Sequence, residues 1–279
     1  MTSVAGDAGT HDKNGVVESY LDFPGGRVHV LAGGAGAPVL FLHGASGAGR
    51  WHEFHGRLAE RFEVFAPDLP GFGGSDELAA VEDMDDLLYH CLDLIDRLGL
   101  DRPHVVGASF GGWLAAELAV RAPHAIGSLV LLGPVGLRLP AHPVADLFRM
   151  TPGQRAAALF HDVSKAAVLF SAEPGIDATL AAYRDLTAFA RFAWSPFMNN
   201  PKLERRLPRI TAPTRVVWAS DDAVVPIAHG HRYAELIPRA ELTVTPDCGH
   251  AMCFERPRES AEAVAAFLVA GAALNGAVR

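Results

Sequence analysis

From Val39 to Leu132 the chain repeats one theme: a short apolar run, a glycine-bearing turn, then an amphipathic stretch. The runs Val39-Leu40-Phe41-Leu42, Val64-Phe65-Ala66, His104-Val105-Val106 and Leu129-Val130-Leu131-Leu132 are too short for helices. They are almost unbroken in apolar character, as parallel strands buried on both faces should be. Between the second and third runs, Met84, Leu87, Leu88, Cys91, Ile95 and Leu98 recur at three- and four-residue steps, and Gly99 follows where a helix would stop. That spacing predicts a crossover helix. A second helix, from about Gly111 to Ala122, closes at Pro123. The alternation predicts an α/β fold with a doubly wound, mostly parallel sheet.

On either side the pattern changes. Tyr20 to Leu31 alternates around Pro24-Gly25-Gly26, which predicts an antiparallel hairpin at the sheet edge. After Pro134 the strand theme vanishes, and residues 134–208 become Ala-, Leu- and Phe-rich with helical spacing, a helical insertion. The theme returns with Arg215-Val216-Val217-Trp218 and Leu242-Thr243-Val244 as strands and with helices beginning near Ala228 and Pro257. The expected organisation is a loose tail over 1–15, one core from 16–133 and 209–279, and a helical cap over 134–208.

The bulk numbers narrow the setting. The 279 residues are 49% hydrophobic and 20% charged, enough for a sizeable core. A net charge of −8 without any Lys/Arg cluster argues against nucleic acid as a partner. Cys91, Cys248 and Cys253 are too few and too unevenly placed for a disulfide framework, which fits a reducing compartment and a cytoplasmic location. Residues 1–15 have no apolar core for a secretory signal, and the apolar stretch Ala261 to Leu274 is broken by Glu262 and falls short of the roughly 20 residues a span needs, so no membrane span is expected. The expectation is a monomer or homodimer acting on a small molecule.

The chemistry centres on Gly107-Ala108-Ser109-Phe110-Gly111. A Gly-x-Ser-x-Gly run is common by accident, but this one follows an apolar strand and opens a helix, the setting in which a tight turn projects a serine hydroxyl while glycines let strand and helix approach. The helix N-terminus presents unpaired N–H groups there, which makes the Phe110 N–H an oxyanion-hole candidate. A serine hydroxyl needs a base, and the base needs a carboxylate to fix its tautomer. His250 lies in a Gly-His loop after the last strand, and Asp222 follows the strand ending at Trp218, with Asp221 and Asp247 as competitors.

The order Ser, Asp, His resembles that of the α/β-hydrolase family. The likeness runs from about Val17 to the last helix and rests on Leu42-His43-Gly44-Ala45, the Asp68 to Ser75 loop, the Ser109 elbow, and the Asp222 and His250 segments. It implies that Ala45 donates a second N–H to the oxyanion, that Asp68 and Ser75 are structural, and that the pattern Asp-x-x-Val-Pro selects Asp222. His43 is expected to order its own loop. Cys248, His250 and Cys253 lack a fourth ligand at zinc spacing, so neither metal nor cofactor is expected.

The expected activity is a serine esterase: cleavage of a small, largely apolar carboxylic ester, lactone or thioester through an acyl-enzyme on Ser109, with class EC 3.1 preferred over EC 3.7. The alternative is a carbon–carbon bond hydrolase of ring-fission diketones. Those enzymes resemble this chain in the run Gly44 to Gly49 but commonly carry Trp after the catalytic His, where Ala251 stands here. A ligand-binding receptor that retains the triad is the reading from another class. Ser109 excludes relatives that use an aspartate nucleophile. Aromatic residues of the insertion are expected to shape the pocket, with His43, Trp194, Phe197 and Met198 as its candidate walls.

Overall fold

The computed structural model describes residues 10–11, 15–170 and 175–276. Nine strands make one sheet: β1 (Thr10–His11), β2 (Val17–Phe23), β3 (Gly26–Gly33), β4 (Ala37–Leu42), β5 (Phe62–Pro67), β6 (His104–Ala108), β7 (Ser128–Leu132), β8 (Thr214–Ala219) and β9 (Ala240–Thr245). Their order is β1-β2-β3-β5-β4-β6-β7-β8-β9. The first four are antiparallel neighbours and β5 onward are parallel. The hairpin turns at Gly25, whose φ of +93° suits only glycine. Of the tail expected over 1–15, residues 1–9 and 12–14 lie outside the described residues, whereas Thr10 and His11 pair with Glu18 and Val17.

The continuous apolar character of the central strands has a direct consequence: each strand feeds two cores. Leu40 and Leu42 of β4, Leu129 and Leu131 of β7, and Val216 and Trp218 of β8 face one layer. Val39, Phe41, Val130, Leu132, Val217 and Ala219 face the other. Helices α1 (Glu53–Ala59) and α8 (Pro257–Gly276) cover the second layer, while α2 (Met84–Arg97), α3 (Phe110–Arg121) and α6 (Ala228–Leu236) cover the first. Helix α2 buries Leu87, Leu88, Cys91, Leu94 and Ile95, is capped by the Asp83 carboxylate, and is followed by Gly99 at φ +66°. Helix α1 has no counterpart in the sequence expectations. Its seven residues are too few to show a period, and three of its flanking and internal positions, Trp51, His52 and His55, mask its apolar face.

Between β7 and β8 lie α4 (Pro152–Leu159), α5 (Ile176–Ala193) and short 3₁₀ turns, with α7 (Met252–Glu255) just after β9. The ends of the 134–208 segment do not overlie the sheet as a cap. Val135 and Leu137 at one end and Met198, Leu203 and Leu207 at the other are buried in the first core layer. Tyr233 of α6 donates its hydroxyl to Val135 O, which fixes the departing chain there. No helix among the described residues is long and apolar enough to cross a membrane.

One contact sets the tolerance of this packing. A Cβ on Gly111 would sit 2.1 Å from Leu42 O, and one on Gly107 2.3 Å from Gly111 O. Gly111→Ala is therefore expected to destabilise the fold by about 3 kcal/mol or more, since only backbone movement relieves the clash. Gly153→Ala on α4, where a Cβ meets nothing within 4 Å, is expected to leave the urea midpoint unchanged or slightly raised. Equal midpoints for the two variants would contradict this account of α3 docking.

Candidate active site

Ser109 stands alone between β6 and α3, at φ +52° and ψ −111°. A non-glycine residue in that region is strained by about 1–3 kcal/mol and persists only where its surroundings hold it. Here they do: Ser109 N–H donates to Leu132 O at 2.8 Å, and Ser109 O accepts from the N–H groups of Trp113 (3.1 Å) and Val135 (3.4 Å). The strain turns the side chain outward, above the carboxyl ends of the parallel strands.

There it meets the residues from the two later loops. Ser109 Oγ lies 2.8 Å from His250 Nε2, and His250 Nδ1 lies 2.7 Å from Asp222 Oδ2. Both partners are almost fully enclosed, with side chains 4% and 1% exposed. The other Asp222 oxygen accepts the N–H groups of Val224 (2.9 Å) and Val225 (2.7 Å), so the carboxylate cannot swing away. Asp221 points elsewhere, to Ser220 and to His161 Nδ1 at 3.4 Å, and is half exposed. Gly133, which follows β7, runs beneath the pair: a Cβ there would be 3.4 Å from both Asp222 Oδ2 and His250 Nδ1. A carboxylate fixed at Nδ1 leaves Nε2 free to accept a proton, the arrangement that activates a hydroxyl.

The Gly44 loop closes the site from the other side. A Cβ on Gly44 would lie 3.3 Å from both Ser109 Cβ and Ala108 O, so the backbone leading into Ala45 abuts the serine. Phe110, first residue of α3, has an N–H with no acceptor inside the helix, and its ring is fully buried. His43 uses both ring nitrogens locally: Nε2 accepts Leu69 N–H at 2.9 Å, which leaves Nδ1 as the donor to Gly44 O at 2.6 Å. That tautomer pins the Gly44 turn. Nearby, burial lowers the His52 imidazole and pushes His55 down to about 3, so neither carries charge at neutral pH.

Asp68 is the polar hub behind this loop. Its carboxylate accepts from the N–H groups of Gly49 and Gly74 and lies 2.8 Å from His29 Nδ1, while Ser75 Oγ donates to Asp68 O. Burial alone would raise the Asp68 carboxyl, but the His29 hydrogen bond, the His43 charge and the two amides together hold it below its usual range. Burial likewise disfavours charge on His29, yet the Asp68 hydrogen bond and charge, with Glu18 beyond, raise it.

A cavity of about 700 Å³ opens over Ser109 and His250. His43 lines it, but Trp194, Phe197 and Met198 do not. They form a second layer: Trp194 and Phe197 pack edge-on against Phe148, which stacks on Phe189 at 5.1 Å, and it is Phe189 that reaches the cavity. Met198 is carried into the core, where its N–H donates to Ala193 O and its carbonyl accepts from Gly136. The wall instead comes from Leu147, Pro152, Arg155 and Leu159, from 167–170 and from the inner side of α5.

Sequence reasoning passed over Glu255. Its buried carboxylate accepts N–H groups from Gly249 (2.7 Å) beside His250, and from His161 (3.0 Å) and Asp162 (2.6 Å) beyond α4. Ala251 N–H adds a bond to Leu159 O at 2.8 Å. One carboxylate thus ties the histidine loop to the segment above it. The signal was available, because Glu255 is a lone charge closing the apolar run Ala251-Met252-Cys253-Phe254. The two cysteines flanking His250 are buried, and burial pushes the Cys248 thiol up to about 12 and Cys253 up as well, so neither is a thiolate at neutral pH.

Residues 37–257 match the family model described as alpha/beta hydrolase fold. A 2-hydroxy-6-oxo-6-phenylhexa-2,4-dienoate hydrolase of Burkholderia cepacia is 30% identical over 257 residues, covering 80% of this chain and 85% of that protein. The crystal structure of a serine hydrolase involved in carbazole degradation superposes with a TM-score of 0.74 at 26% identity, over 91% of this chain and 99% of that one. That of a membrane phospholipase A superposes with a TM-score of 0.78 at 26% identity, over 92% and 87%. The scaffold therefore hosts more than one bond class and does not select among them. The sequence relatives do, and they overturn the expectation of a carboxylic ester hydrolase: their names are those of dienoate hydrolases, so the preference for EC 3.1 over EC 3.7 is corrected.

Two outcomes follow from the geometry. Protonated His29 stabilises the fold fully below its unfolded value of 6.5, and that contribution fades as pH rises through the raised folded value. The Asp68 contribution is present above its unfolded value of 3.8 and fades as pH falls through the depressed folded value. Urea unfolding should accordingly find His29→Gln more costly at pH 5 than at pH 9, and a penalty independent of pH would refute the charged pair. Glu255→Ala, which leaves three buried amides without their acceptor, is expected to cost about 3 kcal/mol or more and to slow fluorophosphonate labelling of Ser109. Unchanged labelling would mean that Glu255 does not hold His250.

Proposed function

The chain belongs to the alpha/beta hydrolase fold family, and from that premise we propose that it is a carbon–carbon bond hydrolase acting on a 2-hydroxy-6-oxo-dienoate, the class of compound released when an aromatic ring is opened. The observation that carries the reading is the 30% identity with a dienoate hydrolase across 80% of the chain, joined to an Asp222–His250–Ser109 line able to activate a hydroxyl. The cavity size suits a ligand of this kind. Ala251 in place of a tryptophan lines that cavity and leaves its floor open beside the histidine.

The chemistry explains why such a substrate needs preparation. Cleaving the bond between C5 and C6 leaves an electron pair on carbon, which must be delocalised to be a leaving group. In the keto form, with the 2-hydroxyl proton lost and a proton gained at C5, that pair spreads through C4 and C3 onto the C2 oxygen. Ser109 Oγ adds to the C6 carbonyl as His250 takes its proton, and the Ala45 and Phe110 N–H groups receive the oxyanion. The adduct collapses with rupture of C5–C6, His250 returns the proton to the dienolate, and an acyl group remains on Ser109. Water, deprotonated by His250, then releases the carboxylic acid. Asp222 stabilises the imidazolium in both halves. The free, buried state of all three cysteines supports a reducing, cytoplasmic setting.

The test is turnover of 2-hydroxy-6-oxo-6-phenylhexa-2,4-dienoate, followed by loss of the dienone absorbance and by appearance of benzoate and 2-hydroxypenta-2,4-dienoate. Ser109→Ala is expected to abolish it, and Asp222→Asn to lower kcat by about 10⁴-fold, with Asp221→Asn close to the wild type. Absence of cleavage for a panel of such dienoates varied at C6, from a wild-type protein that labels with fluorophosphonate, would overturn the proposal.

A further inference from the structure

Three arginines line the cavity, and two are occupied in holding the upper segment to the core. Arg50 Nη1 donates to Val168 O at 3.1 Å, and Arg184 donates to Gly73 O. Arg155 is different. Its Nε is buried without an acceptor, and no carboxylate among the described residues pairs with it. A guanidinium is a poor group to enclose without an anion, and its planar fork matches a carboxylate.

Its place on α4 says where such an anion would lie. Arg155 and Leu159 are four residues apart and so share a face of the helix, one above the other by about 6 Å. Leu159 is fixed at the histidine loop, because its carbonyl accepts Ala251 N–H and stands where a Cβ on Gly249 would be. Arg155 thus sits one helical turn from the reacting centre, within the same cavity. In a 2-hydroxy-6-oxo-dienoate the carboxylate is five bonds from the carbonyl carbon, a span of the same order. The other charges facing the cavity are engaged: Glu18 with His29, and Asp185 with Gly73 N–H.

We propose that Arg155 is the specificity-determining cation of this site, receiving the carboxylate of a keto acid whose far carbonyl is presented to Ser109. The proposal rests on the function proposed above, but it concerns binding and is separable from bond cleavage. The probe is 6-oxo-6-phenylhexanoate, a saturated keto acid that has the carboxylate and the C6 carbonyl but no route to a dienolate, compared with its neutral methyl ester.

Calorimetric titration into Ser109→Ala protein measures binding without turnover. The acid is expected to bind about tenfold or more weakly when Arg155→Met is added, with Arg155→Lys intermediate and the methyl ester indifferent to the change. In active enzyme, Arg155→Met should raise KM for the dienoate by a similar factor and leave kcat within about threefold. Circular dichroism of Arg155→Met checks that the fold survives, and the methyl ester serves as a second check, since a collapsed cavity would lose it too. Equal affinity of the acid for both proteins, or no binding of the acid at all, overturns the proposal. A wild-type enzyme that binds the acid through Arg155 but cleaves no dienoate would overturn the proposed reaction and leave the carboxylate site standing.

Discussion

The site depends on how closely α3 approaches the carboxyl ends of β4 and β6. Gly107 and Gly111 remove the two Cβ atoms that would collide there, with Gly111 O and Leu42 O. Backbone then packs on backbone, and the single residue between strand and helix is forced to a positive φ. That strain aims the Ser109 hydroxyl away from the sheet and places the first free N–H of α3 beside it. The same crowding brings Gly44 against Ser109 Cβ, and Gly133 against the Asp222–His250 pair. Nucleophile, oxyanion donors, base and acid thus arise from four neighbouring strand ends, β4, β6, β7 and β8, with β9 supplying the loop that carries His250. A doubly wound sheet collects such ends along one edge, which is why catalytic groups far apart in sequence meet there.

Above the edge, the hold of the cap on the core is divided between apolar and polar contacts. Phe110 touches Phe189 and Phe192 from below, and Phe148 stacks on Phe189 from the side. The polar ties lie at the rim: Glu255 to His161 and Asp162, Arg50 to Val168, and Arg184 and Asp185 to Gly73. Aromatic packing sets the depth of the cavity, and directional bonds set its registration over the serine. The tie through Glu255 is buried and charge-assisted, the strongest type available to a neutral amide. Its position next to Gly249 means that the base and the nearest wall move together or not at all.

The core was legible from the chain because its signals are local. Unbroken runs such as Leu129 to Leu132 can only be strands buried on both faces, and the step pattern of α2 with Gly99 behind it leaves little freedom. The Ser109 elbow, Asp222 and His250 were readable for a related reason: each sits at a strand end, where a turn glycine or proline marks the position. The walls of the cavity were not readable. Trp194 and Phe197 are as aromatic as Phe189, and only the packing around Phe148 decides which ring faces the cavity. Helix α1 escaped notice because seven residues rich in histidine flanks carry no period. The class of bond escaped as well, since Ala251 was weighed as a missing tryptophan while the likeness along the whole chain pointed the other way.

What separates an ester from a carbon–carbon bond at such a site is the leaving group. An alkoxide needs only a proton from His250, whereas a carbanion needs conjugation to an oxygen several atoms away and must be held so that the conjugated chain stays planar. The machinery around Ser109 is indifferent to that difference, so recognition of the leaving half falls to the cavity wall. On the proposed reading that wall is α4, where Leu159 is bonded to the histidine loop and Arg155 stands one turn further along the same face. A single rigid helix would then gauge the distance between the reacting carbonyl and the far carboxylate, and substrates of the wrong length would miss one end or the other.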